Sequence, residues 1–148
     1  MEKVGFIGLG NMGMPMAQNL ILNGIKVKGF DVSEEVLKQA SENNIMVCSD
    51  ALQVSKEIDV LITMLPNGEA VSSVFNSESL LENIDPSILI IECSTISPKT
   101  SKELSLKASS LDLEMIDAPV SGGQAGAENG QLTIMVGGDE PIYLKIEP

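Results

Sequence analysis

Histidine and tryptophan are both missing from the 148 residues. Without His, no in-chain imidazole can act as a general base. This excludes Ser-His-Asp hydrolysis and the His-based oxidation of 2-hydroxy acids. Aromatics amount to one Tyr and three Phe, so the core must be aliphatic, built from Val, Ile, Leu and Met. Cysteine occurs only as Cys48 and Cys93, each in an apolar run and without CxxC spacing. That pattern argues against a disulfide framework and against a zinc site, so no metal is expected. Positive charge is scarce: nine Lys and Arg stand against 21 Asp and Glu, for a net charge of −12. Nucleic acid and anionic membranes both need a basic surface, so neither is an expected partner. The apolar runs are too short to span a bilayer. Met1-Glu2-Lys3 leads straight into an apolar strand needed for the fold, so no signal peptide is expected. A cytoplasmic location is therefore expected.

What is present suffices for one domain over 1–148, with 43% apolar residues to fill a core. Strand and helix alternate from the start. Strands are expected over 4–8, 25–30, 46–48, 59–65, 87–91, 113–117 and 132–136, the last two separated by a Gly-rich stretch at 121–130. Helices are expected over 12–23, 33–43, 50–56, 67–75 and 98–109, with Ser33 and Ser97 as caps, and another helix begins at 140. Such alternation implies an α/β fold with a Rossmann-type, doubly wound, mostly parallel sheet.

Residues Gly8, Leu9, Gly10, Asn11, Met12 and Gly13 spell G-x-G-x-x-G between the first strand and the first helix. In that context the pattern has a mechanism. Gly8 permits a tight turn, Gly10 lets backbone approach a pyrophosphate, and Gly13 lets helix and strand pack closely. The helix N-terminus turns its N–H groups and positive dipole end to the phosphates. Asp31 closes the second strand, 18 residues after Gly13. Its carboxylate suits the ribose hydroxyls of NAD and repels the 2′-phosphate of NADP. Val32 and Ser33 follow, and no Arg is placed to welcome a phosphate. The expected cofactor is NAD.

The opening from Val4 to Gly13, running into Met16-Ala17-Gln18-Asn19-Leu20, resembles the β-hydroxyacid dehydrogenases, the family of 3-hydroxyisobutyrate dehydrogenase and tartronate semialdehyde reductase. Met64-Leu65-Pro66 resembles that family's cofactor-lining loop. Ser94-Thr95-Ile96-Ser97-Pro98 resembles the loop whose Thr reaches the nicotinamide side. Asp117-Ala118-Pro119-Val120-Ser121-Gly122-Gly123 resembles its substrate loop and separates this chain from 6-phosphogluconate dehydrogenases, which share the fold. The resemblance implies that Leu65, Pro66 and Thr95 join the cofactor site. It also implies that Ser121, Gly122 and Gly123 hold the carboxylate of a small hydroxy acid, as an anion nest could. The chain departs from the pattern at Glu92-Cys93-Ser94 and at Ala70, where some relatives carry a polar residue. Cys93 reads as a buried thiol rather than a nucleophile, and Asp117 as a strand-end residue bracing the loop.

The family's proton-transfer Lys lies in a G-x-x-x-N-x-x-K motif, and none of the thirteen Gly residues begins one. The resemblance therefore implies that no catalytic residue lies in this chain. The motif Lys would come beyond Pro148, where the chain is read as truncated before an interdomain helix. An all-helical C-terminal domain, through which the full-length protein would form a homo-oligomer, is implied to be absent. A non-catalytic NAD(H) sensor or scaffold and an imine-reductase-like enzyme are the alternatives; Asp31 speaks against the second, which usually prefers NADPH.

Overall fold

Strand β1 (Lys3–Ile7) leads through helix α1 (Gly13–Leu22) to β2 (Lys26–Phe30), and α2 (Glu34–Glu42) leads on to β3 (Met46–Val47). Helix α3 (Ala51–Val54) returns the chain to β4 (Val60–Thr63), beside β1. Helices α4 (Gly68–Asn76) and α5 (Leu80–Asn83) precede β5 (Leu89–Glu92), and α6 (Pro98–Ser110) precedes β6 (Glu114–Asp117). The computed structural model describes residues 2–76 and 80–145. All pairings among these six strands are parallel, in the order β3-β2-β1-β4-β5-β6. That order belongs to the doubly wound dinucleotide-binding sheet. Its strand order reverses between β1 and β4, which opens a crevice at the carboxyl ends of the strands.

The central strands β4 and β5 are covered on both faces, which is why they read as continuous apolar runs. Val4, Phe6, Val60 and Leu89 pack with Ala17 of α1 and Ala40 of α2. Ile7, Leu61 and Ile90 point the other way and pack with Val71 and Phe75 of α4 and Leu104 of α6. The expected caps are present. Ser33 Oγ accepts the Val36 N–H at 3.4 Å and Ser97 Oγ accepts the Thr100 N–H at 3.1 Å. Each satisfies one of the orphan donors at a helix start.

The end of the chain differs from the sequence expectation. Residues 121–130 are not a plain Gly-rich connection but hold helix α7 (Gly123–Glu128). The strand expected over 132–136 shortens to β8 (Thr133–Ile134). It pairs antiparallel with β7 (Val120–Ser121), outside the main sheet. A further parallel strand would need a crossover of about a dozen residues or more, and the short 122–132 segment favours the antiparallel return. Helix α8 (Glu140–Tyr143) begins where expected, and the part of that expectation on 146–148 lies outside the described residues. Asn19 on α1 ties the late elements back to the early ones, because its Nδ2 donates to the Ala127 carbonyl of α7 at 2.6 Å.

Candidate cofactor site

The loops after β1, β2 and β4 meet at the carboxyl end of the sheet and enclose a cavity of about 490 Å³. That is within the size range of small-molecule sites. Gly8, Gly10, Asn11, Met12 and Gly13 form one side and Asp31 stands at another. Leu65 and Pro66 face them, backed by Ala70 and Ser73 of α4. A second cavity of about 620 Å³, beside Lys102 and Asp117, contains none of the expected binding residues.

Each glycine of the turn has its own physical task. Gly8 has φ +91°, and a Cβ there would stand 2.3 Å from the Met64 carbonyl oxygen. A Cβ on Gly13 would stand 1.9 Å from the Gly8 carbonyl oxygen. A Cβ on Gly10 would meet nothing within 4 Å. Gly8 and Gly13 are thus needed by the fold, whereas Gly10 leaves space that the fold does not use. No side chain caps the start of α1; the Gly10 carbonyl takes the Met14 N–H at 3.0 Å and Pro15 has none, which leaves the Met12 and Gly13 N–H groups for an anion. Gly13→Ala should therefore destabilise the domain by about 2 kcal/mol or more, as overpacking against backbone does. Urea unfolding should show this as a lower midpoint at unchanged slope.

Asp31 has a second role that sequence reasoning did not find. Its Oδ2 accepts the Leu9 N–H at 2.8 Å and its Oδ1 accepts the Ser33 N–H at 3.0 Å. The Leu9 side chain is buried in the core, so Asp31 anchors the phosphate turn to the end of β2. A carboxylate has about four lone-pair sites, so acceptor capacity remains for a ligand. Val32, 91% exposed, adds an apolar rim to the cavity.

Thr95 lies on the exposed loop after β5 and is not among the residues lining this cavity. Ser121 is exposed on β7, while Gly122 (φ +137°) and Gly123 (φ +62°) open α7. These three lie outside the cavity lining. Asp117 braces the loop through its backbone, exchanging N–H bonds with Gly137 at 2.9 and 2.7 Å. Its Oδ1 is buried without a hydrogen-bond partner among the described residues. Burial raises the Asp117 carboxyl above the usual range, against a bond from Ser101 that lowers it. Burial, reinforced by the charges of Glu92 and Asp117, pushes the Cys93 thiol up to about 12. It stays protonated, as a buried apolar thiol does.

Sequence reasoning noted Glu92 only as a departure. It is fully buried at the end of β5, with its carboxylate bound to Thr63 and Ser94. An acid closing a wholly apolar strand was the available signal. Burial raises its pKa, outweighing hydrogen bonds from Ser94 and Thr63 that lower it. The folded state therefore holds this proton more tightly than the unfolded chain. Stability from this group is fully present below the ordinary value of 4.5. It is lost as pH climbs through the raised folded value. Glu92→Gln should thus gain on the parent as pH rises from 4 to 7, and the gain should vanish at acid pH. Thermal melts of both proteins across that range check this.

A family model described as the NAD binding domain of 6-phosphogluconate dehydrogenase matches residues 3–148. The chain belongs to this family of NAD-binding domains. Among relatives of the NAD-binding domain is the mitochondrial 3-hydroxyisobutyrate dehydrogenase of Mus musculus. It is 43% identical over 95% of this chain and 42% of its own length. The NAD-dependent L-serine dehydrogenase of Pseudomonas aeruginosa is 39% identical over 100% of this chain and 50% of its own length. A solved structure of Mycobacterium tuberculosis 3-hydroxyisobutyrate dehydrogenase, described with L-serine, superposes with a TM-score of 0.93. It is 40% identical, covering 98% of this chain and 49% of that one. The NAD-binding domain thus spans about half the length of the relatives it matches. Among the described residues, no helix is long and apolar enough to cross a membrane.

Proposed function

We propose that this domain holds NAD(H) for hydride transfer to or from a small 3-hydroxy acid such as 3-hydroxyisobutyrate, as the cofactor-binding part of a longer dehydrogenase. The observation that carries the reading is Asp31, fixed by two backbone N–H groups beside an open phosphate turn. When bound, the nicotinamide cofactor supplies hydride exchange at the hydroxyl-bearing carbon. The chain's own residues bind and orient. Gly8, Gly10, Asn11, Met12 and Gly13 receive the pyrophosphate, with Leu9 fixing the turn from within the core. Asp31 takes the ribose hydroxyls, Leu65 and Pro66 form the facing wall, and Thr95 serves the nicotinamide side. Ser121, Gly122 and Gly123 hold the substrate carboxylate. The relatives named for 3-hydroxyisobutyrate and L-serine, both small 3-hydroxy acids, support that substrate class.

The proton is the task of a Lys outside these residues, on the helix that would follow this domain, and the whole protein would form a homo-oligomer through a further helical domain. A cytoplasmic home goes with this reading, and the two free, buried cysteines are in keeping with a reducing compartment. Some relatives are named mitochondrial, so fractionation of the whole protein is the relevant check.

Calorimetric titration with NAD and NADP tests the cofactor assignment. NAD should bind on the order of 100-fold more tightly, since a like charge against Asp31 costs a few kcal/mol. Asp31→Arg should weaken NAD and narrow or invert the preference. Equal affinities in the parent, or a preference for NADP, would remove the basis of the assignment.

A further inference from the structure

Glu92 is a fully buried carboxylate, and burying such a charge is costly unless donors surround it. They do. The Thr63 hydroxyl, across the ladder on β4, donates to Oε2. The Ser94 N–H donates to Oε1 at 2.6 Å. Groups from β4 and from the loop after β5 thus converge on one carboxyl group, whose oxygens have the lone pairs to receive them.

Ser94, held in this way, accepts the Leu65 N–H on its Oγ at 2.8 Å. Leu65 follows the end of β4, where the chain leaves the sheet and turns into the cavity wall. The preceding residue touches the phosphate turn, because the Met64 carbonyl oxygen occupies the space a Gly8 Cβ would need. A continuous line of contacts therefore runs from Glu92 through Ser94 and Leu65 to Gly8. Neither Glu92, Thr63 nor Ser94 lines the cavity itself.

We propose that Glu92 is a positioning residue for the cofactor: acting through Ser94, it fixes the Leu65–Pro66 wall of the cavity against the phosphate turn. The proposal rests on the reading of that cavity as the NAD site.

Hydrogen exchange at the Leu65 amide reports the link, and NAD titration reports its consequence. Ser94→Ala removes the acceptor and leaves a small side chain that the site can hold. It should speed Leu65 exchange and weaken NAD binding, each by about 10-fold, the worth of roughly one hydrogen bond. Amides of β1 and β2 should keep their protection, which a general loss of stability would not allow. Glu92→Ala should act alike. Glu92→Gln keeps an acceptor for the Ser94 N–H and should hold both readouts within about 3-fold of the parent. Joining Glu92→Ala to Ser94→Ala should cost no more than the worse single change, because both cut one link. If Glu92→Ala does not fold, Ser94→Ala and Glu92→Gln carry the test. Unchanged Leu65 exchange in Ser94→Ala overturns the proposal, and so does faster exchange with NAD affinity intact. A parent that binds no NAD overturns the cofactor reading instead, while Leu65 exchange still decides whether the link exists.

Discussion

Gly10→Val should fold like the parent and lose NAD affinity by at least about 100-fold, a change of about 2.8 kcal/mol. The two halves of this expectation have separate grounds. Folding is spared because a Cβ at Gly10 meets no atom within 4 Å and the position is exposed. Its backbone also lies outside the left-handed region, since Gly10 is not among the positive-φ glycines. Binding fails because the branched side chain fills the space where backbone must approach a pyrophosphate. Circular dichroism melts and calorimetry on the same sample separate the two. The contrast with Gly13→Ala sharpens the result, since that change should damage the fold through contact with the Gly8 carbonyl. A Gly10→Val chain that melts normally and binds NAD normally would show that the turn is not the phosphate site.

The second large effect concerns turnover. The 148 residues alone should show no oxidation of 3-hydroxyisobutyrate, glycerate or related 3-hydroxy acids by NADH absorbance. A chain that continues through a helical domain should turn over at least one of them. Removing hydride from an alcohol carbon requires its hydroxyl proton to leave in step, to a group of suitable pKa within hydrogen-bond reach. There is no His. Lys99 is an exposed partner of Glu103 at 3.9 Å. Asp117 lines the second cavity and is not among the residues lining the cofactor cavity. A cleft closed on one side also leaves the reacting atoms in water, which weakens the electrostatics a closed site enjoys. Robust turnover by the short chain would mean that the proton acceptor is here after all. A longer chain that binds NAD but oxidises none of these acids would favour an NAD(H)-sensing module. In a working longer chain, Ser121→Ala should act mainly on KM.

That the glycine turn and Asp31 would meet at one cavity was legible in sequence because they are local. Strand, three glycines, helix and Asp31 all fall within the first 31 residues, and each has a residue type tied to one conformation. The alternation of elements carried the doubly wound sheet in the same way. Helix α7 was hidden by its composition. Gly122, Gly123, Gly126 and Gly130 punctuate a segment whose Gln, Ala and Glu residues favour helix. Strand β7 was too short to announce itself. Glu92 was illegible for another reason. Its partner Thr63 lies 29 positions away, and only strand pairing brings the two side chains opposite each other. Asp31 was half read, since its place at the end of β2 suggested a ligand and gave no hint of Leu9.

The bond between Asn19 and Ala127 joins groups 108 positions apart, and this separation orders events in time. Closing a loop costs chain entropy that grows with the logarithm of its length. So long a loop closes readily only after the parallel strands have drawn its ends together. Synthesis imposes the same sequence, because domains emerge from the N-terminus onward. The phosphate turn and Asp31 leave the ribosome while α7 has still to be made. The contact between α7 and α1 that closes this part of the molecule can therefore form only once the whole stretch between them has been made.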